Sequence, residues 1–181
     1  MQNMAKSASA QNLEPAIRRH TFSVLVQNRI GVLARISGLF SGRAFNIESL
    51  SVGETLDPDL SRVTMVSTGD EKTIEQITKQ LNKLVDVIKV VDMNEEPHVE
   101  RELLLIKVNA ESSVRAEVLR ITDIFRGKVV DVTPSSFAIE VTGDEGKLKA
   151  VIEMLRPLGI KEIARTGKVA MTRGGKTLKT S

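Results

Sequence analysis

Apolar and polar residues alternate from His20 to Gln27, with Phe22, Val24 and Val26 on one side, and then the period changes. Val32, Leu33, Ile36, Leu39 and Phe40 fall at offsets 0, +1, +4, +7 and +8, the spacing of one helical face. The pattern predicts a strand over 19–27, a helix over 31–43 and a second strand over 46–53. A turn-rich loop around Pro58 fills 54–60. A third strand follows over 61–68, then a helix over 72–85 on Ile74, Ile77, Leu81 and Leu84, then a fourth strand over 87–93. After the polar break Asn94-Glu-Glu-Pro97 the pattern repeats in diverged form. Its strands are 99–109, 129–132, 137–142 and 160–171. Val114, Val118, Ile121 and Phe125 mark one helix, with Gly127 expected at its end, and Leu148, Val151, Ile152 and Leu155 mark another, ended by Gly159.

The order β-α-β-β-α-β is the split β-α-β pattern. The chain is therefore expected to be α+β, with two ferredoxin-like βαββαβ domains in tandem over 19–94 and 98–173. Flexible tails are expected over 1–18 and 174–181. Right-handed crossovers place both helices of a unit on one sheet face and give strand order 4-1-3-2. Strand two then lies at an edge, with no proline and the single charge Glu48 to protect it. A second subunit is expected to cover that edge.

Composition narrows the chemistry. The 181 residues include no cysteine, tryptophan or tyrosine and only two histidines, His20 and His98. Disulfides, thiolate zinc sites and a cysteine nucleophile are excluded. No glycine-rich nucleotide motif or phosphate loop occurs, no nucleophile–base arrangement is marked by spacing, and Asp57-Pro-Asp59 reads as a solvated turn, so catalysis is not expected. The net charge of +3 is concentrated near the ends, in residues such as Lys6, Arg18, Arg19, Arg173, Lys176 and Lys179. The first strand offers one aromatic, Phe22, and the third none, which leaves no base-stacking platform for RNA on this fold. No apolar run is long enough to span a bilayer and residues 1–17 lack a signal-peptide core, so no membrane or nucleic-acid partner is expected and the cytoplasm is the expected compartment.

One constellation has a chemical use. Asn28 and Gly31 stand between the first strand and the first helix, and Asn46 begins the second strand. The first amides of a helix lack internal partners and carry part of the positive helix dipole, so a carboxylate fits there. Gly31 would let a ligand approach the backbone. An asparagine amide both donates and accepts, and so meets either end of a small amino acid. Read blandly, the same residues are turn asparagines and a loop glycine. The second half has Ala110-Glu-Ser-Ser113 at the equivalent junction, where capping by Ser112 or Ser113 is expected.

Longer stretches resemble a known family. They include His20-Thr-Phe-Ser-Val-Leu-Val, Asn28-x-x-Gly-Val-Leu-Ala-Arg, Phe45-Asn-Ile-Glu-Ser-Leu, Gln80-Leu-Asn-Lys-Leu-Val-Asp-Val, His98-Val-Glu-Arg-Glu-Leu, Ile124-Phe-Arg-Gly and Val130-Asp-Val-Thr-Pro-Ser. The chain resembles the regulatory small subunits of acetolactate synthase (acetohydroxyacid synthase) over about residues 19–174. The first half looks like an ACT domain and the second like this family's C-terminal domain. The resemblance implies a subunit without catalysis or cofactor of its own. Its partner would be a large catalytic subunit carrying thiamine diphosphate, Mg2+ and FAD, in valine, leucine and isoleucine synthesis. It implies activation of that partner and feedback inhibition, usually by valine, bound at the interface of an ACT homodimer. Carried over by motif, Asn28 and Gly31 would grip the effector carboxylate. Ile30, Val32 and Leu33 would supply amides or an apolar wall, and Asn46, with Ile47 beside it, would reach in from the neighbouring subunit. The chain departs from the family at Ala34, where serine is frequent, at Ala44, where glycine is frequent, and at Arg29-Ile30, where an acidic or small residue and then proline or serine are common. The alternative is a free-standing ACT-type amino-acid sensor controlling another enzyme or a transcription regulator.

Overall fold

A computed structural model describes residues 16–178. The first unit runs β1 (Arg18–Gln27), α1 (Val32–Gly42), β2 (Ser49–Glu54), β3 (Leu60–Gly69), α2 (Glu71–Leu81) and β4 (Val87–Asp92). A 3-10 turn, Met93–Glu95, leads into the second, which has β5 (His98–Asn109), α3 (Arg115–Ile124), β6 (Lys128–Val132), β7 (Ser136–Gly143), α4 (Glu145–Leu155), β8 (Ile160–Arg165) and β9 (Val169–Thr172). The sheets have the orders β2-β3-β1-β4 and β6-β7-β5-β8, and all the pairs are antiparallel. These are the two ferredoxin-like units that the β-α-β-β-α-β pattern calls for, with β2 and β6 at edges.

Alternation explains each core. Phe22, Val24 and Val26 of β1 meet Val63 and Met65 of β3 beneath Ile36 and Phe40 of α1 and Ile77 and Leu81 of α2. In the second unit Leu104, Ile106 and Val108 do the same with Ile139, Ile121 and Leu148. Helices α2 and α4 start where Asp70 and Asp144 accept from the amides of Thr73 and Lys147, at 2.8 and 2.9 Å.

Several boundaries differ from the sequence pattern. β2 begins at Ser49 rather than at residue 46, which leaves Asn46 in the preceding loop. α2 stops at Leu81, because the bonds Lys83 N to Gln80 O and Leu84 N to Leu81 O tighten the next turn to i→i+3 spacing. The expected caps Ser112 and Ser113 are not used; Val114 is the N-cap, with no side-chain bond, and the Glu111 carbonyl accepts from the amides of Val114 and Arg115. At the end of α3 the left-handed residue is Arg126 (φ 52), not Gly127. Gly127 is needed for space, since a Cβ there would lie 3.0 Å from Val141 Cγ2 and 3.1 Å from Glu140 O.

The expected last strand, 160–171, breaks in two at Gly167 (φ 78). β8 pairs with Leu104–Val108 of β5, whereas β9 pairs with His98–Arg101, so β5 belongs to two ladders. β9 lies against the helix-free face of the first sheet. Arg62 Nη1 donates to Ala170 O at 3.3 Å, the Lys168 amide donates to Ser49 Oγ at 3.3 Å, and a Cβ on Gly167 would stand 2.6 Å from Ser49 Oγ. One ion pair, Arg19–Glu145, crosses between the two units, and the others flank it within each unit. Arg19 reaches Glu48 and Glu145, and the buried Lys168 reaches Glu145 at 2.8 Å and Glu100 at 3.1 Å. The segment after β9 is not free from residue 174 onward. Arg173 donates to the Pro97 and His98 carbonyls, and Lys176 pairs with Glu96 at 2.8 Å. Residues 1–15 and 179–181 of the expected tails lie outside the described residues. No helix among the described residues is long and apolar enough to cross a membrane.

Two outcomes are expected. Ala44 holds φ 56 at the exit of α1, a conformation glycine adopts without strain, so Ala44→Gly should raise stability by about 0.5–1 kcal/mol, read as a higher Tm. The hydrogen bond from Lys168, with the charges of Lys168, Arg19 and Arg165, holds the Glu145 carboxyl below the usual glutamate range. A carboxyl depressed by folding stabilises fully above its unfolded value of about 4.3 and loses that contribution as pH falls through the lower folded value. Glu145→Gln should therefore flatten the fall of stability between roughly pH 5 and 3; denaturant midpoints that fall equally steeply in parent and variant would contradict this role.

Candidate functional site

The candidate loop is built where β1 ends. The Gln27 amide donates to Asp86 O at 2.9 Å, the Asn28 amide to Asp59 O at 2.7 Å and the Arg29 amide back to Gln27 O at 3.0 Å. The Asn28 side chain lies on the loop between β2 and β3, its Nδ2 donating to Pro58 O at 2.9 Å and to Glu54 Oε1 at 3.3 Å. Both partners are acceptors, which fixes the NH2 on that side and leaves Oδ1 without a donor among the described residues. The loop itself is tightened by Leu60 N to Asp57 O and Asp59 N to Asp57 Oδ1, both 3.0 Å.

Gly31 then turns the chain into α1. It is the N-cap, at φ 86, and supplies no side-chain cap. A Cβ there would be strained and would stand 3.2 Å from Arg35 Nη1. Val32 N makes a long 3.4 Å bond to Arg29 O, and the amides of Ile30, Gly31, Leu33 and Ala34 have no acceptor among the described residues. α1 therefore presents an open positive end, unlike α2 and α4 with their aspartate caps. Behind it, Arg35 Nε meets the buried Asp86 at 2.6 Å, a pair that sequence spacing did not single out.

The predicted site residues divide three ways. Asn28, Ile30, Gly31 and Leu33 stand together around the open end, with Ile30 fully exposed at 101% and Leu33 at 41%. The Val32 side chain is 5% exposed and belongs to the core, so only its amide faces the loop. Asn46 and Ile47 lie beyond the other end of α1; eleven helical residues separate them from Asn28 by ~16 Å. Asn46 is exposed and its carbonyl accepts from Ser67 Oγ at 2.6 Å, while Ile47 packs against the first core. A single chain thus does not bring Asn28 and Asn46 onto one small ligand. Glu54 and the Pro58 carbonyl join the site without having been marked in the sequence. No cluster of three or more metal-ligating side chains occurs among the described residues.

Comparison with known proteins agrees with this architecture in both halves. Residues 22–89 match the family described as the AHAS small subunit-like ACT domain, and residues 101–174 match the small subunit of acetolactate synthase. The acetolactate synthase small subunit of Aquifex aeolicus is 60% identical, over 87% of this chain and 82% of its own length. A probable acetolactate synthase small subunit of Archaeoglobus fulgidus is 58% identical, over 87% of this chain and 99% of its own. The crystal structure of the acetolactate synthase small subunit from Thermotoga maritima superposes with a TM-score of 0.79 at 45% identity, covering 88% of this chain and 99% of that one.

Asn28→Ala removes both side-chain tethers of the 54–60 loop. It should cost about 1 kcal/mol and speed amide exchange at Leu60 and Asp59 relative to the β1 core; unchanged exchange in that loop would show that the tethers are idle.

Proposed function

The chain belongs to the acetolactate synthase small-subunit family, and on that premise we propose that it is a non-catalytic regulatory subunit of this enzyme. It binds a separate large subunit that carries thiamine diphosphate, Mg2+ and FAD, raises its activity, and confers feedback inhibition by a branched-chain amino acid, valine foremost. The observation that carries the effector reading is the uncapped end of α1 behind Gly31, three residues after Asn28, whose Oδ1 has no donor among the described residues.

The chemistry follows from that geometry. The effector carboxylate accepts from the open amides around Gly31, where the helix dipole favours negative charge. Its ammonium lies against Asn28 Oδ1 and the Glu54 carboxylate, which the loop tether already holds near. Ile30 and Leu33 give an aliphatic side chain an apolar wall. The outer edge of β2 has no partner strand among the described residues, and Val52 on it is exposed. A second copy of the ACT domain covers this edge in our reading and brings its own Asn46 to the site, as the separation along α1 requires. Effector binding then acts by favouring one arrangement of the dimer over another, since a ligand that binds both arrangements equally shifts nothing.

The test combines thermal unfolding with a reconstituted assay. Valine at about 100 times its dissociation constant adds roughly 2.7 kcal/mol, a shift of several degrees, and Gly31→Ala should abolish the shift. Added to the catalytic subunit, the parent chain should raise turnover and make it valine-sensitive, whereas Gly31→Ala should raise turnover without the sensitivity. No shift with valine, leucine or isoleucine, and no valine effect in the assay, would remove the effector reading. A strictly monomeric chain in sedimentation would remove the dimer.

A further inference from the structure

The helix-free face of the first sheet carries an unusual set of side chains at its centre. The registers place Ser23 between Thr64 and Val91, and Leu25 between Arg62 and Lys89. β9 and the segment after it roof this face and leave a cavity of about 420 Å3 whose lining includes Ser23, Arg62, Lys89, Met93, Met171 and Leu178. Ser23 is 2% exposed, and its Oγ has no hydrogen-bond partner among the described residues. Arg62 donates once, to Ala170 O, and neither Arg62 nor Lys89 has a carboxylate partner among the described residues, although both are half-buried. The other two charges at the cavity, Glu96 and Lys176, satisfy each other at 2.8 Å.

Two unpaired cations and a buried hydroxyl without a partner call for an anion, because buried polar groups in folded proteins are ordinarily satisfied. The methionines, with Val91 and Leu178, add an apolar side that an inorganic anion would not use. A zwitterionic amino acid would bring its ammonium against Arg62 and Lys89. We propose that this cavity is a second ligand site, distinct from the loop before α1, for a small carboxylate with a short aliphatic body and no amine. Its carboxylate accepts from Ser23 Oγ, Arg62 and Lys89, and its chain lies against Met93 and Met171. The volume suits such a ligand. Since Ser23, Arg62 and Lys89 belong to the first unit and Met171 and Leu178 to the roof, the bound anion clamps the two together.

The full chain, labelled with 13C-methyl methionine, reads this site locally. Met93 and Met171 line the cavity, while Met154 on α4 does not. Isovalerate should shift the Met93 and Met171 methyls saturably with a Kd of about 1 mM and leave Met154 in place. Lys89→Gln and, separately, Arg62→Gln should each weaken binding by about tenfold or more, and Ser23→Ala by less. Absence of a saturable shift at roughly 10 mM isovalerate would overturn the site. Valine or inorganic phosphate binding as tightly as isovalerate would overturn the ligand class. The readout is confined to this cavity, so its failure leaves the α1 site untouched.

Discussion

Burial of β1 on both faces is the constraint on which the rest of the structure depends. Six consecutive residues, Thr21 to Val26, are buried, yet the two helices of the first unit cover only the face of Phe22, Val24 and Val26. The other face must be covered by something else, and β9 covers it. That demand explains why β5 extends past its own sheet, why the final strand breaks at Gly167, and why that position has no room for a Cβ beside Ser49. The Arg19–Glu145 pair bridges the two units at the same seam, and Lys168 holds that same Glu145 from within the second unit. Lys168 is buried, and two carboxylates satisfy it there, as a buried ammonium requires.

Hydrophobic periodicity carried most of this architecture. Alternation in β1 and the 3.6-residue spacing in α1 set both the element order and the strand order, because crossover handedness leaves few alternatives. What periodicity could not carry was the seam. Arg19 and Glu145 lie 126 residues apart, and nothing local in either segment announces the other. The break at Gly167 was hidden for a related reason: residues on both sides of it are strand-like, and only the approach of Ser49 decides where the chain bends. Local turn chemistry misled at Gly127 and at the Ser112–Ser113 pair, where packing against Val141 and the Glu111 carbonyl prevailed over residue preference.

The candidate site was legible in part. Asn28 and Gly31 announced a turn into a helix, and the structure gives each the role its type suits, a tether and a left-handed N-cap. The tether's other end, Glu54 and Pro58, was invisible because it depends on how β2 and β3 are joined in space. Val32 looked available from its place in the loop motif, but the apolar face of α1 claims its side chain. Asn46 lies a full helix away, so the set has chemical meaning for one ligand only across two chains.

The roofed face of the first sheet also bears on how the protein is made. The Arg62–Ala170 contact closes over 108 residues, so a growing chain holds β1 to β4 complete long before β9 exists. Domains generally fold as units during synthesis, and apolar surface left bare in that interval invites aggregation. Ser23, Thr64, Arg62 and Lys89 keep the waiting face wet, while Val91 and Leu25 leave enough apolar surface to receive β9 when it arrives. The polar row thus serves the nascent chain before it serves the finished one.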